Sequence, residues 1–193
     1  MIHLIRNAKE VNKDKFPEAE VSLRVALYYI NNKLTESDVA VSIDGVHIKT
    51  GNQVHFDIQQ FMHEIGATRT IGEAGKWQGT YTLPDTRVRL LLHSKPGNGD
   101  VVIHMIDGKI LLVESKKGSF CSSKGNPEYP LMREAIGQLV TGSPLRDDTI
   151  FAVAVPHSDK SFELATRWSK YAQIKMLGIK FLLVSREGDI RVI

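Results

Sequence analysis

Between Gly99 and Lys116, three charged residues stand at the ends of two otherwise apolar runs. Asp100 precedes Val101 to Met105, and Glu114 and Lys116 close a run that begins at Ile110. Charges in such places are costly to bury unless they are paired or used. Glu114 and Lys116 lie two positions apart, so on a strand they share a face, where a carboxylate and an ammonium can address one phosphate. Asp107 and Gly108 mark a hairpin turn between the runs. A two-residue loop there would put Asp100 opposite Ser115, on the wrong face. A three-residue loop of Ile106, Asp107 and Gly108, with Gly108 left-handed, would put Asp100 opposite Glu114. The spacing predicts the second turn, which uses the glycine where a positive φ is required.

Two converging carboxylates make a hard-oxygen site suited to Mg²⁺, with Mn²⁺ as the alternative, completed by the Ser115 backbone carbonyl and by waters. The metal ligands expected are therefore Asp100, Glu114 and Ser115. An ion held there would polarise a phosphate and acidify a water, while Lys116 orients or deprotonates the attacking water and offsets developing charge. That chemistry hydrolyses phosphodiesters. Taken alone, a Glu, any residue, Lys triplet is an ordinary solvated ion pair of small energetic value. The hairpin, the opposed acid and the helix that follows set this one apart.

The elements that must position these residues are legible in outline. A mostly buried helix is expected over Glu18 to Asn31, behind Pro17. Short alternating runs at Val39 to Ile43 and Val46 to Ile48, hinged on Asp44 and Gly45, read as a hairpin. A helix from Asn52 to about Ile65 stops at Gly66. Strands are expected at Thr68 to Ile71 and Arg87 to Leu92, with a loop at Gly72 to Trp77 and turns from Ser94 to Gly99. After the central hairpin come a helix at Pro130 to Thr141, a strand at Thr149 to Val155, a helix at Asp159 to Leu177 and a strand at Ile179 to Val184. Apolar strands joined through a helix imply a parallel pair.

The order helix, three antiparallel strands, helix, strand, read from about Asn52 to Val155, resembles the PD-(D/E)xK nuclease superfamily. So does the set Asp100, Glu114 and Lys116. Gly99 stands where the motif's name has proline. The literal Pro84 and Asp85 pair is a competing candidate, but is more simply a turn with proline at its second position. The resemblance implies supporting polar residues, Gln138 with Glu134 one turn earlier, and an extra carboxylate from Glu73, Glu64 or Asp57. Candidate DNA contacts are Lys117 and Lys124 near the loop from Gly118 to Asn126, Lys95 in its turn, and Arg69, Lys76 and Trp77 before the second strand. The histidines show no ligand spacing, and His104 is expected in the core.

The 193 residues carry a net charge of +3, compatible with a polyanionic partner but not diagnostic of one. A single cysteine, Cys121, excludes an internal disulfide and a cysteine zinc site. No run of about 18 apolar residues occurs, and Met1 to Arg6 lacks the apolar core of a leader, which predicts a cytoplasmic protein with no membrane partner. The fold class expected is α/β, a restriction-endonuclease-like core with a mixed central β-sheet flanked by helices. Residues 51–193 would form this nuclease domain, and residues 1–50 a small N-terminal helix-plus-hairpin accessory region for dimerisation or DNA recognition. The expected activity is metal-dependent cleavage of DNA, of the restriction type and by a homodimer. Rival readings are a structure-selective or repair nuclease such as a junction resolvase, the nuclease subunit of a larger defence or transposition assembly with an additional protein subunit, and a nucleic-acid-binding module that has lost catalysis.

Overall fold

Near-continuous burial along residues 110–115, 149–156 and 180–184 shows that the sheet carries a core on both faces there. The computed structural model describes residues 14–45, 48–50, 53–120 and 128–193. In chain order the elements are β1 (Lys15–Phe16), α1 (Glu18–Asn31), β2 (Val39–Ser42), β3 (Lys49–Thr50), β4 (Gln53–Val54), α2 (Ile58–Glu64), β5 (Thr68–Ile71), β6 (Gly79–Thr82) and β7 (Arg89–His93). There follow β8 (Val101–His104), β9 (Ile110–Ser115), β10 (Gly118–Ser119), α3 (Glu128–Gly142), β11 (Thr149–Pro156), α4 (Asp159–Trp168), α5 (Ala172–Met176), β12 (Lys180–Val184) and β13 (Ile190–Val192). Nine strands form one mixed sheet in the order β13-β12-β11-β9-β8-β2-β7-β6-β5. The protein is thus α/β, with a mixed central sheet flanked by helices. Among the described residues, no helix is long and apolar enough to cross a membrane.

Odd and even strand positions serve different cores. Val41, Leu90, Val101, Ile103, Val113 and Ala154 pack with α1, whose Val21, Leu23, Val25 and Ala26 are wholly buried. Leu112, Phe151, Val153 and Phe181 pack on the opposite face with Met132, Ala135 and Leu139 of α3 and Leu164 and Trp168 of α4. β9, β11 and β12 are parallel neighbours, as expected of apolar strands joined through helices covering one face.

Several elements differ from the sequence reading. Among the described residues, Val39 to Ser42 pairs with strands distant in sequence and not with the chain just after Gly45. β2 lies between β7 and β8, parallel to the first and antiparallel to the second, so both its edges are hydrogen-bonded. Val46 and His47 lie outside the described residues. Residues 18–42, part of the 1–50 region read as an accessory unit, share the sheet and the α1-side core with the rest of the chain. α2 begins at Ile58 rather than Asn52, because the Asp57 carboxylate caps it by accepting the Gln60 N–H, while Gln53 and Val54 pair with β3. The helix expected over 159–177 is two. It starts on a capping box between Ser158 and Ser161, tightens at Lys170, whose N–H donates to the Arg167 carbonyl, and restarts to bury Ile174. β6 and β13 are strands the sequence reading did not assign.

Candidate active site

The β8–β9 hairpin pairs Val101 with Val113 and His104 with Ile110. One step further along the same register, Asp100 stands opposite Glu114. The turn sets this. Gly108, at φ +83°, donates its N–H to the Met105 carbonyl at 3.0 Å, and Met105 pairs with Lys109 at 2.8 Å. Ile106, Asp107 and Gly108 are therefore the three-residue loop expected from the spacing. At the other end of β8, the Asp100 N–H donates to the Val113 carbonyl at 2.8 Å and its carbonyl accepts the Ser42 N–H at 2.7 Å. Gly99 has φ +108°, and a Cβ there would fall 2.9 Å from the Val113 oxygen. Proline, locked near −65° in φ, could not occupy that position.

The carboxylates sit where water is scarce. Burial pushes Asp100 up to about 7, with Glu18 adding to the rise, against the Ser115 amide and Lys116. The Ser115 N–H donates to the Asp100 carboxylate at 2.8 Å. Burial, and then the charge of Asp100, push Glu114 up to about 7 as well. The Lys116 ammonium lies 3.5 Å from a Glu114 oxygen and 3.3 Å from a Glu134 oxygen. Burial disfavours its charge, but Glu18, Glu114 and Glu134 together hold it above the usual lysine value. Two desolvated acids beside one cation retain protons toward neutral pH, and a divalent cation relieves the same repulsion.

These residues form the floor of a cleft of about 650 Å³. The turn from Ser94 to Gly99 makes one wall; α3 makes the other, with Leu131, Glu134 and Gln138 facing the cleft. The supporting pair Glu134 and Gln138 is thus at the site. So is Glu18, which the sequence reading missed. Its carboxyl is raised by burial, with Glu114 adding to the rise, while Lys116 and the hydrogen-bonded Lys117 amide oppose it. An acidic residue in the first turn of a helix ordinarily reads as a partner of the helix dipole; only the packing of α1 on the sheet brings Glu18 to the strand ends.

The chain matches no model of a known protein family, no curated protein and no solved structure. Function has to be read from the site's own chemistry.

Other candidate residues are not brought to the floor. Glu73 pairs with Lys76 in the β5–β6 loop, four strands along the sheet from β8. The Arg69 guanidinium donates to the Lys76 carbonyl, and Trp77 packs half-buried against the α1-side core. Asp57 caps α2 and Glu64 accepts from Gln60. Asp85 lies between β6 and β7, before the N-terminal end of β7, whereas the site is at the strand end marked by His93 and Ser42. Lys117 is exposed on the cleft rim and Lys95 is exposed in its turn; Lys124 and Cys121 lie outside the described residues. His104, expected in the core, is exposed.

Among the described residues no group of three or more His, Cys, Asp or Glu side chains is gathered closely enough to hold a metal ion by itself. The donors that do converge are all oxygen: the facing carboxylates of Asp100 and Glu114. That set fits Mg²⁺, which takes one or two protein carboxylates and keeps several waters, better than it fits zinc. Ser115, between the two acids, is fully buried, and its hydroxyl has no hydrogen-bond partner among the described residues.

Proposed function

We propose that the protein is a metal-dependent phosphodiesterase acting on DNA, with Asp100 and Glu114 holding Mg²⁺ or Mn²⁺ and Lys116 beside them. The observation that carries the proposal is the hairpin register that faces Asp100 toward Glu114, with Lys116 in contact with Glu114 at the floor of the cleft. The arrangement in space adds support: α1 packs against the antiparallel neighbours β2, β8 and β9, with α3 and β11 after them, although β3 to β7 and α2 intervene in the chain between β2 and β8. The sequence reading drew the order helix, three antiparallel strands, helix, strand from Asn52 onward, whereas here α1 and β2 supply its first two members.

When bound, the divalent ion supplies Lewis-acid activation of a water and a phosphoryl oxygen. The protein's own groups do the rest. Asp100 and Glu114 hold the ion between them. Lys116, kept charged by three neighbouring carboxylates, orients the attacking water and offsets charge that develops on the phosphoryl oxygens. Of the two roles expected for this lysine, orienting and deprotonating the water, the first fits an ammonium whose charge is reinforced. Glu134 fixes its head group from the α3 side.

The test is conversion of supercoiled plasmid to nicked or linear forms, at fixed ionic strength because binding to DNA is salt-dependent. Cleavage should need the metal, stop with chelator, and be lost in Glu114→Ala. Retained DNA binding with no cleavage under any metal would favour the binding-module reading instead.

A further inference from the structure

The cleft has a buried floor, and both its walls are fastened. At its floor the side chains of Lys116 and Glu114 are only 5% and 11% exposed. The wall from Ser94 to Gly99 is tied down at each end. The Ser42 hydroxyl donates to the Lys95 carbonyl at 2.7 Å, the Ile43 N–H donates to the His93 carbonyl at 2.8 Å, and the Ser42 N–H donates to the Asp100 carbonyl at 2.7 Å. The opposite wall, α3, is anchored by the buried Met132, Ala135 and Leu139. Widening the cleft would therefore break hydrogen bonds on one side or expose core on the other.

From this geometry, and resting on the phosphodiesterase reading above, we infer that the strand presented to Asp100, Glu114 and Lys116 is unpaired DNA: a single strand, a flap or a frayed end. A volume of about 650 Å³ falls in the range of small-ligand clefts, roughly 300–1,000 Å³, enough for a nucleotide or two. Paired DNA is a stiff rod with a persistence length of about 50 nm, and its phosphates lie on a convex surface with neighbours on both sides. Such a surface cannot lower one phosphate between two fixed walls onto a buried lysine. An unpaired strand bends at every nucleotide and can. Charge points the same way. Among the described residues five carboxylates and two lysines line the cleft. A duplex brings one negative charge per roughly 1.7 Å, whereas a single strand brings fewer and enters an acid-rich cleft against less repulsion.

The experiment compares four substrates with the full chain and Mn²⁺ at one ionic strength: a single-stranded oligonucleotide, the same sequence as a flap on a duplex, the same sequence fully paired with blunt ends, and bis(p-nitrophenyl) phosphate. The unpaired strand and the flap should be cut at least about tenfold faster than the paired duplex, since duplex entry would first require unpairing. Ser42→Ala, which releases the Lys95 wall, should narrow that ratio by speeding duplex cleavage. Duplex cut as fast as single strand would overturn the inference and leave the phosphodiesterase reading standing. Hydrolysis of the small diester with no DNA cut at all would likewise overturn it. Failure on all four substrates would remove both.

Discussion

Gly99 and the carbonyl of Val113 approach so closely that a Cβ on residue 99 would lie 2.9 Å from the oxygen, at a backbone φ of +108°. The same carbonyl accepts the Asp100 N–H, so the glycine lets the chain pass over β9 just where the acid must be delivered. Gly99→Ala is expected to cost about 1–3 kcal/mol in stability and to lower cleavage more than that loss explains, because Asp100 would be displaced from Glu114. Chemical denaturation and plasmid cleavage on the same preparation check this. Wild-type activity in a stable variant would show that the acid's position does not depend on the close approach.

Asp100 and Glu114 predict a pH response of unusual sign for carboxylates. Both titrate near 7 in the folded protein, against about 4 in an unfolded chain. The folded state thus binds more protons than the unfolded one between these values. Stability from these groups is full below about pH 4 and is lost as pH rises through 7. The metal-free protein should melt lower at pH 8 than at pH 5.5, and Mg²⁺ should recover most of the difference at pH 8. Glu114→Gln, neutral throughout, should flatten the profile and raise the metal-free melting temperature at pH 8 while abolishing cleavage. A melting temperature that rises from pH 5.5 to 8 without metal would contradict the burial of the pair.

Among the described residues Lys116 is the one cation at the floor, in contact with Glu114 and Glu134 and within the field of Glu18. Lys116→Met keeps the stem and removes the charge. Cleavage should fall by about 10²–10³, the usual cost of losing one electrostatic stabiliser of the transition state. Without that charge the remaining acids repel one another more strongly, so the variant's melting temperature in chelator should drop more steeply with rising pH than that of the wild type. Full activity in Lys116→Met would reassign the residue as a structural ion pair.

Much of the site was legible because it is local. A hairpin's register follows from its turn, and the turn from which residue must take a positive φ; Gly108 settles that within three residues. Period-two alternation then puts Glu114 and Lys116 on one face. Helix α3 was readable from its apolar spacing, whereas Glu134 and Gln138 were singled out only through the family resemblance. The helix start at Asp57 was not, because Gln53 and Val54 ahead of it pair as strand with β3 instead.

The sequence by itself determined the α/β class, the Asp100–Glu114 pairing and the lysine beside it, since each depends on residues within about one hairpin of one another. Only the tertiary structure decided that β2 enters the sheet between β7 and β8, that α1 lies across the strands, and that Glu18 thereby joins the floor. Those outcomes turn on which apolar surfaces bury each other across long stretches of chain. A buried helix such as α1 and a strand such as β2 carry the same apolar pattern whichever neighbours they find, so nothing in their own residues names the partner.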